Sequence, residues 1–226
     1  MSRLVRAVAV TRLSLSAILL VIVSLLLGGC RIATIRPLDP VTGKPVIEVT
    51  DEQFDPATYV DRIWASRVLP YARQEAVPYS TLMEALRQDT AAASERYGHR
   101  EGTRPYSFVV SGTGRVLELD RSSLMGMALI DVEPFDGVPD LKMQIGPVIG
   151  GTALRDALPF VSFGDVTNQV EFAAISRELH ARVRSEVLDS VHMDGLVGRE
   201  ILFVGAFSLE NLENITITPL IIEGRQ

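Results

Sequence analysis

The chain has 226 residues, 22% of them charged and 47% hydrophobic, with a formal net charge of −6; a chain of that make-up folds around a real core, in one large or two small domains. Residues 1–29 carry Arg3, Arg6 and Arg12 and no acid, so the remainder holds 19 basic against 28 acidic side chains, a net −9. That balance disfavours nucleic acid as a partner and excludes a polybasic segment as the membrane attachment, while the single cysteine excludes an intramolecular disulfide.

The three arginines precede an apolar run, Leu13 to Leu27, and Gly28, Gly29 and Cys30 follow it. A basic segment, a short apolar run and small residues before a cut form the order of a secretory signal peptide. The run is shorter than the roughly 20 apolar residues of a spanning helix and is bounded by Arg12 and Arg31. Leu27-Gly28-Gly29-Cys30 resembles the lipobox of bacterial lipoproteins. The resemblance implies diacylglycerylation of the Cys30 thiol, cleavage between Gly29 and Cys30, and acyl chains such as palmitate holding the mature protein to a bilayer on the periplasmic side. Two or three chains anchor stably, at about 0.8 kcal/mol per buried CH₂, where one does not. In enterobacteria an Asp after the Cys favours inner-membrane retention; Arg31 stands there, and inner versus outer membrane stays open.

Residues 30–50, with Pro37, Pro40, Gly43 and Pro45, read as an extended tether carrying one short strand-like run, Val46 to Val49. A small helical domain is expected over 51–103. Asp55-Pro56 is a helix start, and Val60, Ile63, Trp64, Val68 and Leu69 share a face up to Pro70, where the helix kinks or ends. A second helix starts at Pro78-Tyr79 and runs to a stop at Gly98.

Composition changes after Gly102. Residues 106–110, 115–119, 127–132 and 141–145 are short apolar runs separated by Gly, Pro and Asp, with Gly112-Thr-Gly114 placed as a hairpin turn between the first two. From Asp165 as N-cap, Phe172, Ile175, Leu179, Val183 and Val187 trace one face of a long helix. Two further strands, 200–207 and 215–218, close the chain. Strands, one long helix, then strands again give an α+β class, and residues 104–226 fit an OB-like β-barrel with one inserted helix.

Candidate chemistry is sparse. The acidic run Asp131 to Asp140 has Phe135 and Lys142 where a calcium loop needs acids, and reads as a solvated turn. Gly146-Pro-Val-Ile-Gly-Gly-Thr152 lacks the ending of a phosphate-binding loop, so its glycines serve a bend. His99, His180 and His192 have no metal-sharing spacing, and no hydrolase elbow or cofactor motif is present. The densest polar information is Arg155-Asp156 inside an apolar run, followed by Asn168 and Gln169. It reads first as a structural network, and otherwise as a site in which Arg155 grasps an anionic or polyol ligand beside Asn168 and Gln169.

Residues 54–64, 145–169 and the closing Gly205-Ala-Phe207 with Ile215 to Pro219 resemble a bacterial family of predicted periplasmic lipoproteins, domain of unknown function 2291. The resemblance implies a lipobox, a helical domain and an OB-like domain. It also implies a gene neighbourhood of ribose-type sugar ABC transporters, hence an accessory role in uptake, and it supplies no catalytic residue. The expected function is a non-enzymatic, lipid-anchored accessory or interaction protein for a sugar transporter, without cofactor or metal. The alternatives are a small-ligand (sugar or nucleoside) binding lipoprotein, for which Trp64 is the one indole able to stack on a sugar, and lastly a hydrolase.

Overall fold

The structure is a computed structural model and describes residues 54–225. The signal segment 1–29, the tether 30–50 with Cys30 and its strand-like run, and residues 51–53 lie outside the described residues. The chain divides between Gln53 and Phe54, so the described residues all belong to one unit.

Helix α1 (Pro56–Ile63) starts where the sequence places it. The Asp55 carboxylate accepts from the Ala57 and Thr58 N–H groups, and Phe54 packs on Tyr59 with ring centroids 5.5 Å apart, a hydrophobic staple across the cap. The helix does not end at Pro70. It widens into a π turn, Trp64–Val68, and continues as α2 (Leu69–Glu75). Proline lacks an N–H and crowds the carbonyl four residues back, and a wider turn directly before it absorbs both effects. A two-residue strand β1 (Val77–Pro78) leads to α3 (Tyr79–Gln88) and α4 (Thr90–Tyr97). The single helix expected to Gly98 is thus two, broken at Asp89, whose extended backbone and side chain cap α4 at Ala92.

The strands are β2 (Ser107–Asp120), β3 (Met127–Val132), β4 (Leu141–Gln144), β5 (Glu200–Ser208) and β6 (Ile215–Gly224). They close in the order β2-β3-β4-β6-β5 and back to β2, antiparallel except for the parallel pair β4–β6, with β1 added parallel on β2. This is the five-stranded barrel the sequence suggests. The expected hairpin at Gly112-Gly114 is absent, because β2 runs straight through both glycines. Its first half pairs with β5 and its second half with β3, and Gly114 and Arg115 pair with both. The glycines serve close approach instead of a turn. A Cβ on Gly112 would stand 2.8 Å from the Phe203 ring, and one on Gly114 would stand 2.4 Å from Ile130 Cγ2. The final strand outruns its expected end, since Pro219 is accommodated at a register shift opposite Val204 and Gly205.

Between β4 and β5 lie the short helix α5 (Ala153–Asp156) and the long helix α6 (Gln169–Arg182), which passes into a second π turn, Val183–Leu188. Asn168, not Asp165, is the N-cap; Asp165 closes a separate 3₁₀ turn, Phe163–Asp165. The expected face is buried in full: Phe172, Ile175, Leu179, Val183 and Val187. One continuous core runs from Val60, Trp64 and Leu82 through Phe108, Ile130, Leu158 and Ile175 to Phe207 and Ile217. The helices at 56–97 share it, so they do not form a domain bounded at 103, as the sequence reading had it; the boundary between units falls at 53/54.

Candidate functional site

Arg155 and Asp156 sit on α5, both nearly fully buried at 3% and 4% exposure. The guanidinium Nε and Nη2 donate to Asp156 Oδ1 at 2.8 and 2.6 Å, Nη1 donates to the Phe172 carbonyl at 3.1 Å, and the group lies 3.8 Å from the centre of the Phe172 ring. Asp156 receives further bonds from Arg104 Nη1 (3.0 Å) and Thr152 Oγ1 (2.6 Å), and its main-chain oxygen accepts from His99 Nδ1 at 2.8 Å. Burial lowers the Arg155 pKa, and the bonds to Asp156 counter it. No buried side-chain nitrogen or oxygen of Arg155 or Asp156 lacks a partner, so this cluster ties α5 to the start of α6 and to the 99–104 loop.

Asn168 and Gln169 are not part of it. The Asn168 side chain caps α6, accepting from the Glu171 N–H and donating to Glu171 Oε1, each at 3.0 Å. Gln169 is exposed at the first helical position. The sequence reading joined the four residues along the chain; the fold separates the buried pair from the exposed cap.

Other sequence candidates are used by the fold itself. Asp131, fully buried, accepts from the Asp136 and Gly137 N–H groups, and Asp140 accepts from Val132 N–H at 2.8 Å. These carboxylates therefore hold a turn. Trp64, 2% exposed, donates its indole N–H to Glu186 Oε2 at 2.7 Å, which links the two π turns. Arg182 bonds both Asp61 and Glu186 beside it, fastening α1 to α6. Such an indole is not presented for stacking on a sugar. His180 lies on the buried side of α6, its pKa pushed down to about 4 by burial first and then by the Arg155 charge, against a hydrogen bond to the Ile149 carbonyl.

The feature the sequence did not reveal is a groove of about 380 Å³ at one end of the barrel. Met127 starts β3, Gln144 ends β4, Thr216 is the second residue of β6, and Met125, Gly151 and Asn214 come from the loops around them. Gln144, 4% exposed, fixes the wall: its Oε1 accepts from Gly150 N–H at 2.7 Å and its Nε2 donates to Thr218 Oγ1 at 3.1 Å. Gly151, at φ +82°, makes the turn that brings Thr152 to the rim. Gly146 lets the 145–150 loop touch the 121–126 loop, its N–H donating to the Met125 carbonyl at 2.7 Å. In OB barrels generally, ligands bind on the face of the second and third barrel strands and on the loops after the first and fourth; the corresponding loops here are 121–126 and 209–214. The one local signal in the sequence is the glycine-rich run at 146–152, which reads there as a bend.

Comparison with known proteins agrees with this architecture. A crystal structure of an OB-fold protein from Thermotoga maritima superposes with a TM-score of 0.64 at 19% identity, over 77% of this chain and 100% of that one, a likeness of fold alone. No curated protein matches the chain. Residues 20–223, nearly the whole length, match the family described as predicted periplasmic lipoprotein (DUF2291). The chain belongs to that family of predicted periplasmic lipoproteins, lipid-anchored proteins of the cell envelope whose function is unknown.

Proposed function

We propose that the protein is a non-enzymatic accessory or interaction protein, held at the periplasmic face by acyl chains on Cys30, that takes its partner in the groove at the barrel mouth. The groove's make-up carries this reading. Amide, hydroxyl and thioether groups from three loops and several strand ends line it, and Glu210 is the one carboxylate among them. Thioethers adapt to irregular surfaces and the amides and hydroxyls supply hydrogen bonds, a combination suited to reversible binding. A sugar ABC transporter subunit is the partner supported by the family resemblance. The groove's size, within the range of small-molecule sites, supports a second reading as a sugar- or nucleoside-binding lipoprotein. A hydrolase would need a second ionisable group to work with Glu210.

The test is photo-crosslinking in intact cells from positions 125 and 214, with position 177 on the outer face of α6 as reference. The accessory reading expects permease subunits captured from the groove positions and not from 177. If sugars or nucleosides raise the melting temperature of the purified protein instead, the second reading holds. Absence of both results would refute the groove as the site.

A further inference from the structure

The opposite end of the β5–β6 pair carries a cleft of about 520 Å³ of different character, lined by Arg115, Gly198, Arg199, Glu200 and Arg225. Three guanidinium groups meet there with one carboxylate, a local +2 on a mature chain whose net charge is −9. Arg115 Nη2 donates to Glu200 Oε1 at 3.2 Å, and its guanidinium stands 4.4 Å from the Phe135 ring centre, so one carboxylate is met and one arginine is oriented. Arg199 and Arg225 are exposed and carry no ion pair among the described residues.

Their backbones are held by the barrel. Gly198, at φ +78°, turns the chain so that its N–H donates to the Val116 carbonyl at 2.8 Å, while Val116 N–H donates to the Arg199 carbonyl at 3.1 Å. Arg225 N–H donates to the Glu200 carbonyl at 2.9 Å. Arg115 and Glu200 face each other in the β2–β5 register. Arg115 therefore projects from β2, while Arg199 stands directly before β5 and Arg225 directly after β6, each tied to a neighbouring strand by a backbone hydrogen bond. Collecting like charges in this way is unfavourable unless an anion joins them, and guanidinium groups match the oxygens of a phosphate better than any other side chain does.

We propose that this cleft binds a phosphate group. Two sources share that chemistry: the headgroup of an anionic phospholipid in the membrane to which the chain is tethered, and a free phosphate ester. In the first case the cleft sets which face of the acidic barrel lies against the bilayer, because the rest of its surface is repelled by anionic lipid. The site is separate from the groove at the barrel mouth, so either can fail while the other stands.

The experiment uses the mature chain from residue 30 with Cys30→Ser, which keeps every described residue and lacks the acyl chains. Its probes are phosphatidylglycerol vesicles, by flotation, and inorganic phosphate, by calorimetry. Arg199→Gln/Arg225→Gln is compared with Arg87→Gln/Arg177→Gln, which changes the net charge equally at exposed positions away from the cleft. The expected result is binding that weakens at least about tenfold in the cleft variant, falls with added salt, and changes less than about twofold in the reference variant. Vesicle binding with that pattern identifies the lipid headgroup as the source, and phosphate binding alone identifies the free ester. No binding to either probe, or equal weakening in the two variants, overturns the proposal.

Discussion

Replacing Asp156 by Ala removes the acceptor of four side-chain donors: Arg155 Nε and Nη2, Arg104 Nη1 and Thr152 Oγ1. Arg155 then keeps its charge at 3% exposure with the Phe172 carbonyl and ring and the Glu101 charge as its remaining favourable partners, and with Arg104 close by as a like charge. Breaking a buried ion pair from one side costs about 3–5 kcal/mol, a large share of the ~5–15 kcal/mol that holds a domain together. For a domain of this size the melting temperature falls by roughly 2–4 °C per kcal/mol, so a drop of about 6–20 °C is expected. Urea unfolding followed by the emission of Trp64, the only tryptophan and a buried one, measures it. The double replacement Arg155→Met/Asp156→Leu should recover most of the loss, since a well-packed apolar pair of similar size substitutes for a buried ion pair. A loss below about 1 kcal/mol for Asp156→Ala would refute the reasoning, because that is the magnitude of a solvated surface pair.

Cys30→Ser in cells should abolish incorporation of labelled fatty acid and leave the precursor uncleaved; normal maturation of that variant would remove the anchoring proposal. The depressed pKa of His180 means that the fold favours the neutral ring. Its contribution to stability is complete above the unfolded value of 6.5 and is lost as pH falls through about 4, amounting to about 3 kcal/mol at most. Stability measured from pH 7.5 to 4 should decline accordingly, and His180→Gln should flatten that decline. Gly146→Ala would place a Cβ 2.3 Å from the Met125 carbonyl and 2.4 Å from that of Leu124. Backbone must move to accept it, at a cost of about 1–3 kcal/mol by overpacking, and chemical denaturation should register both that loss and weaker partner capture from position 125.

Much of the fold is written locally. The Asp55-Pro56 start, the buried stripe from Phe172 to Val187 and the strand runs at 127–132 and 200–207 follow from capping chemistry and side-chain period, which act over a few neighbouring residues. The family assignment spans residues 20–223. Local signals misled where a residue answers to a distant partner. Gly112 and Gly114 resemble a turn but make room for Phe203 and Ile130, and Pro70 looks like a stop but is carried by a π turn. In the same way Asn168 and Gln169, close to Arg155 in sequence, serve the helix cap instead.

The sequence by itself determined the acidic balance, the α+β class and the faces that go inward, because each depends on composition or on spacing within a few turns. Only the tertiary structure decided the mouth groove, which assembles Met125, Gln144 and Asn214 from separate segments, and the cleft that gathers Arg115, Arg199 and Arg225. Net charge is a sum over the chain and cannot show where its parts meet. Barrel closure and strand register set those positions, and they place a cationic cleft on an acidic protein.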